Sequence, residues 1–143
     1  MSGQALIALA RGWIGTPYRH QASRKGAGCD CLGLIRGLWF EWHGSAPETP
    51  PPYGPDWSEI EREERLWQAL ARHMREVRDT PLAEGQVLLF RMREGRVAKH
   101  LGILSRGPES GAAFIHAYER HGVVESPLAA PWARRIVARF EMI

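Results

Sequence analysis

The sequence predicts an α+β fold in a single domain, with helices first and an antiparallel sheet or small barrel after them. Three observations carry this. Apolar residues recur at helical spacing in the first half, around Leu34, Ile35, Leu38, Trp39 and Trp42. After Thr80-Pro81 the pattern changes to short β-rich runs separated by glycine-containing turns. The 143 residues, 44% hydrophobic and 24% charged, suit one ordinary globular core and argue against disorder throughout. Segregation of helices from strands is the mark of an α+β domain, with one central helix packed on the sheet.

Ser2 to Gly12 reads as a short amphipathic helix, with Ser2 as N-cap, Ala5, Leu6 and Leu9 on one stripe, and Gly12 near its end. Trp13 and Ile14 are expected to cover the core. Gly15-Thr16-Pro17-Tyr18 is a turn that fixes Tyr18, as a site residue or as an anchoring core tyrosine, and Arg19 to Gly28 follows as an extended polar loop. Gly26 and Gly28 make that loop permissive, Asp30 can cap the next helix, and Cys31 then falls in its first turn. Gly33 and Gly37 cost helix stability, about 1 kcal/mol each. Their place four residues apart predicts a smooth stripe approached closely by a sheet or another helix.

Gly44 to Pro55 holds Pro47, Pro50, Pro51, Pro52 and Pro55 and reads as a surface excursion, not a domain boundary, because too little core precedes it. Asp56 to Val77 predicts a second long helix, opened by a Ser58-x-x-Glu61 capping box, with Ile60, Trp67, Leu70, Met74 and Val77 on one face. Strands are expected at Gln86 to Phe90, Val97 to Leu104, Ala113 to Tyr118, Val123 to Ser126 and Arg135 to Met142.

Charge and cysteine usage narrow the function classes. The net charge of +3 comes from 19 Lys and Arg scattered among 16 Asp and Glu, a mixed surface that argues against a nucleic-acid partner and is compatible with an anionic cell wall. Cys29 and Cys31, one residue apart, are poorly spaced for a disulfide and too close for a Cys-x-x-Cys pair; no second pair completes a zinc site. Cys29 reads as a packing residue. The start, Met-Ser-Gly-Gln, lacks a basic n-region and the apolar run at Ala5 to Ala10 is brief, so the expectation is synthesis in the cytoplasm without a signal peptide and no membrane insertion.

Chemistry points to thiols. At a helix N-terminus the first-turn N–H groups and the helix dipole favour a thiolate, so Cys31 suits a nucleophile, although a small buried hydrophobe fits the same place. Two histidines lie inside apolar strand runs. Alternation puts His100 on one face with Gly102, leaving open space before the ring, and a hairpin could make His116 its neighbour. Each histidine alone is at home as a satisfied core residue; with Cys31 they suggest a base and an orienting ring serving a thiolate that attacks a carbonyl. The Cys31 backbone N–H and the Tyr18 hydroxyl are candidate oxyanion donors. His43, His73 and His121 read as solvated.

Five ordered motifs resemble the NlpC-type cell-wall cysteine peptidases: Gly15-Thr16-Pro17-Tyr18, Asp30-Cys31-Leu32-Gly33-Leu34-Ile35, Pro81 with Glu84-Gly85-Gln86-Val87 and Phe90, His100-Leu101-Gly102-Ile103, and Ile115-His116-Ala117. The Cys29-Asp30-Cys31-Leu32-Gly33 run is similar to the branch encoded in bacteriophage tail modules and gene transfer agents. This resemblance implies a papain-like fold over residues 1–143, with residues 44–80 a family-variable insertion, Cys31 as nucleophile, His100 as base, His116 as orienting residue and Tyr18 assisting the oxyanion or substrate. It implies cleavage of peptidoglycan stem peptides, between D-glutamate and diaminopimelate, without a cofactor, by an enzyme carried among phage-like tail-tip or baseplate proteins and acting in the cell wall of the target cell. A structural tail-tip subunit with little activity, and a papain-like amidase or acyltransferase on another substrate, are the alternative readings. Two departures stand out. Leu32 follows the nucleophile where most relatives have Ser, and His20-Gln21-Ala22-Ser23 stands where most have a glycine pair.

Overall fold

The computed structural model describes residues 2–46 and 64–142. Within them, helix α1 (Gly3–Arg11) begins where Ser2 Oγ accepts the Ala5 N–H at 3.2 Å, and it buries Leu6, Ile7 and Ala10. Trp13 follows it into the core at 2% exposure, whereas Ile14, expected beside it, is 43% exposed. The polar loop ahead of the cysteine is less open than its composition suggests: β1 (Ser23–Arg24) pairs antiparallel with β2 (Gly28–Cys29) in a minimal ribbon. Helix α2 (Cys31–His43) ends at Gly44, whose positive φ of 81° lets its N–H return to the Phe40 carbonyl.

The glycine stripe on α2 is used for close approach, but by other partners than expected. A Cβ at Gly33 would lie 1.8 Å from the Ala22 carbonyl oxygen, and one at Gly37 would lie 2.2 Å from the Trp13 ring. A loop backbone and a single indole, not a sheet or helix, occupy the groove.

The helix expected over Asp56 to Val77 is corrected at its C-terminal end. Its start, with Ser58, Ile60 and Glu61, lies outside the described residues, as does the proline run at 47–55. Helix α3 (Arg65–His73) stops at Met74, which is extended, and Arg75–Val77 becomes strand β3. Pairing with the last strand, in the register Arg75↔Glu141 and Val77↔Arg139, gives these backbone groups sheet partners, and Arg75 bridges Glu141 at 2.5 Å. The helical spacing of Val77 lost to that ladder. His73, expected to be solvated, is half-buried with its ring edge-on to Trp39.

Strands β4 (Val87–Phe90), β5 (His100–Arg106), β6 (Ala113–Tyr118), β7 (Gly122–Pro127) and β8 (Ile136–Glu141) complete a six-stranded antiparallel sheet in the order β3-β8-β4-β5-β6-β7. Each of the five expected runs became a strand, within three residues at either end. The short helix α4 (Ala130–Ala133), between β7 and β8, was not foreseen.

The sheet is buried on both faces. One face places Val87, Leu89, Leu101, Ile103, Ile115, Ala117 and Phe140 against Leu6, Ile7, Leu34, Leu38 and Leu66 of the helices. The other gathers Leu88, Phe90, Leu104, Phe114 and Leu128 under Trp132 of α4. All four residues of β4 are fully buried, which is why that strand reads as a continuous apolar run without alternation. Among the described residues no helix is long and apolar enough to cross a membrane.

Candidate active site

Asp30 organises the entrance to α2. Its buried carboxylate accepts the Gly33 N–H on Oδ1 at 2.7 Å, the expected cap, and the Gln21 N–H on Oδ2 at 2.8 Å. The Asp30 N–H in turn bonds the Ala22 carbonyl, and Ser23 Oγ donates to the Gly33 carbonyl at 2.6 Å. Residues 20–23 are therefore clamped over the first turn. Gln21 sits in the left-handed region at φ 65°, the conformation that glycine favours. A non-glycine residue is held in this conformation by the hydrogen bond from its N–H to Asp30.

Cys31 opens the helix and is partly exposed. Its sulfur lies against the backbone on either side of His100: Sγ donates to the Lys99 carbonyl at 3.4 Å, and the Leu101 amide favours its anion, as do those of Cys31 and Leu32. The first-turn amides thus act in the expected direction. Burial and the Asp30 carboxylate outweigh them and push the thiol up to about 12. The group that caps the helix is also one that disfavours the thiolate.

The two histidines meet. His100 Nε2 and His116 Nδ1 are 2.8 Å apart with the rings nearly perpendicular. The register Ile103↔Ile115 and Leu104↔Phe114 sets Gly102 opposite His116, so the histidines are diagonal neighbours on one face, not directly opposed. The space expected at Gly102 is filled. A Cβ there would be 2.8 Å from the Phe114 ring and 3.4 Å from His116 Cβ, so the bare backbone lets the second imidazole come up to the first. Burial, then the neighbouring His116, lowers His100 to about 3; burial, then His121, lowers His116 to about 4. Burial thus favours the neutral form of the thiol and of both imidazoles.

Tyr18 joins the same end of the molecule. It forms an isolated parallel bridge with Cys29, and burial followed by the nearness of Cys31 raises its phenol well above the ordinary value. Tyr18 is thus near Cys31, the Cys31 sulfur reaches the backbone beside His100, and His100 meets His116. His121 is exposed as expected, stacked on Tyr118 at 5.2 Å.

Two neighbours were not anticipated. Ser126 Oγ lies 2.9 Å from His116 Nε2. The Trp132 indole packs 5.5 Å from His100 and 5.1 Å from His116, half-buried over both rings. Alternation along β7 puts Ser126 on the face of its neighbour Val124, which opposes His116, but only the register reveals the diagonal contact. No periodic signal marks Trp132, which stands in a single helical turn after Pro131.

The architecture matches that of several solved structures. The NlpC/p60 domain of the peptidoglycan hydrolase SagA superposes with a TM-score of 0.67 at 20% identity, over 99% of this chain and 100% of that one. The fold is that of the NlpC/p60 domains. An NlpC/p60 family protein from Bacillus cereus matches at 0.69 and 18% identity, and NlpC2 from Trichomonas vaginalis at 0.67 and 15%. These cover 99% and 98% of this chain, which spans only 40% and 46% of theirs. No family model matches the sequence, and no curated protein sequence matches it. The likeness to the NlpC/p60 domains is one of fold, and it is the papain-like arrangement that the ordered motifs implied.

Proposed function

We propose that the chain is a cysteine peptidase of peptidoglycan stem peptides, with Cys31 as nucleophile, His100 as base, His116 as orienting residue and Tyr18 as oxyanion or substrate donor. The observation that carries the reading is the placement of a helix-opening thiol against the backbone that flanks His100, whose ring is tied to His116 at 2.8 Å. With Nε2 occupied by His116, the thiol proton passes to His100 Nδ1 as sulfur attacks the peptide carbonyl carbon. The Cys31 N–H and the Tyr18 hydroxyl receive the developing oxyanion. The tetrahedral species collapses when protonated His100 gives its proton to the departing amine, leaving an acyl thioester. Water, deprotonated by His100, then releases the carboxylate and restores the thiol.

SagA, whose domain shares this fold, is a peptidoglycan hydrolase, which supports the same polymer as substrate here. The Cys29-Asp30-Cys31-Leu32-Gly33 run supports carriage by a phage-like tail, read out by antibody detection of the chain in purified particles. The direct test is mass spectrometry of Gram-negative muropeptides after incubation with wild type, Cys31→Ala and His100→Ala. New fragments ending in D-glutamate are expected with wild type alone. Equal cleavage by Cys31→Ala, or none by wild type, overturns the proposal.

A further inference from the structure

The His116 ring has little freedom. Phe114 packs 4.1 Å from it at 30°, Tyr118 packs 5.4 Å from it at 28°, and Trp132 meets it edge-on at 5.1 Å. Its hydrogen bonding is confined to two edge nitrogens, Nδ1 toward His100 and Nε2 toward Ser126. A neutral imidazole carries one N–H and one lone pair, so the two contacts are linked. If His116 carries its proton on Nε2, bare Nδ1 accepts from His100 Nε2–H and His100 keeps a lone pair on Nδ1 with which to take a proton. If His116 carries it on Nδ1, that N–H donates to His100 Nε2, His100 must be protonated on Nδ1, and it is no longer a base.

We infer that Ser126 is a positioning residue: its hydroxyl oxygen is placed to accept from His116 Nε2–H and so sustains the arrangement in which His100 Nδ1 is the free base, which an apolar side chain at this position would leave with an unpaired N–H. The inference rests on the peptidase reading for its consequence, but not for its geometry. A buried N–H without an acceptor is rarer in folded proteins than an unfilled lone pair, so removing the Ser126 oxygen favours the tautomer that moves the proton to Nδ1. When His100 is protonated during turnover, the same row keeps its Nε2–H donating to His116 Nδ1. No proton passes to His116. The hydroxyl acts from two diagonal steps away, through two rings, and touches no substrate.

The test uses the full chain labelled with 15N-histidine. Long-range 1H–15N spectra at pH 7 read which nitrogen of each ring is protonated, with no substrate present. Wild type is expected to show His116 protonated on Nε2 and His100 bare at Nδ1. Ser126→Ala, and the near-isosteric Ser126→Cys should alanine fail to fold, are expected to shift both rings toward the Nδ1–H form. Ser126→Thr, which keeps the hydroxyl, retains the wild-type pattern. On muropeptides the alanine variant loses about tenfold or more in kcat with KM unchanged, a part of what a positioned general base contributes, and threonine restores it. Wild-type His116 protonated on Nδ1, or tautomers unchanged in both the alanine and cysteine variants, overturns the inference. A wild type inactive on muropeptides defeats the peptidase reading instead, because the tautomers are read without it.

Discussion

At the scale of single residues, the entrance to α2 depends on a few that accept unfavourable positions. Gln21 is the plainest case. A non-glycine residue at positive φ costs on the order of 1 kcal/mol, and here the Gln21 N–H bond to Asp30 Oδ2 offsets it. Gln21→Gly keeps the N–H and relieves the backbone, so its denaturation midpoint should be equal to or above wild type. Gln21→Val, β-branched and ill-suited to this region, should destabilise by about 1–2 kcal/mol in the same urea titration. Equal midpoints for the two would mean that residue 21 does not hold this conformation in solution. Asp30 itself was readable as a cap, but its second bond and its opposition to the thiolate were not. Both arise from residues brought to it by folding.

At the scale of the element, α2 illustrates how a helix can be right in outline and misread in its contacts. The cap, the start at Cys31 and the glycine spacing were all local signals, available from period and side-chain chemistry. What packs into the glycine stripe was not local. The Ala22 carbonyl over Gly33 belongs to a loop whose path depends on Asp30, and it is backbone that has little room to yield. Gly33→Ala should therefore destabilise by about 2 kcal/mol or more, despite the better intrinsic helix propensity of alanine. Urea titration checks this, and a midpoint at or above wild type would refute the close approach. The strands show the complementary case. Their apolar runs were plain, but alternation within one strand says nothing of the register between two. The diagonal placement of His100, His116 and Ser126 therefore needed the sheet.

At the scale of the whole molecule, the site lies where two cores meet. Cys31 packs with the helix-side core, whereas Phe90 and Trp132, two of the ring neighbours of His100, belong to the opposite one. The sulfur reaches the Lys99–Leu101 backbone at the end of the strand that separates them. Burial in the second core lowers both histidines, which gives stability a definite pH dependence. Above 6.5 both rings are neutral folded or unfolded. As pH falls below 6.5 the unfolded chain takes up protons that the folded one refuses until about 4 at His116 and about 3 at His100. Stability is thus lost progressively on acidification from 6.5 toward 3. Thermal melts should show Tm falling between pH 7 and pH 4.5, less steeply in His116→Gln. In the same window kcat/KM of the folded enzyme should show no acid limb near 6.5. A midpoint there would mean that the rings are hydrated and not sealed by Trp132.

Whatever depends on neighbours along the chain was legible in the sequence: helices ahead of the five main strands, the cap at Asp30, the cysteine in the first turn, and two histidines within apolar strands. Side-chain period and capping chemistry act over a few residues and are written where they act. The rest came from folding in three dimensions. Packing converted Val77 from helix to edge strand, gave the sheet a second buried face, and put Ser126 and Trp132 on the histidine pair. It also set the protonation of the site, since a dipole at a helix terminus is a local property. Burial around Cys31 and His100 is not local, and at Cys31 it acts against the hydrogen bonds of the first-turn amides.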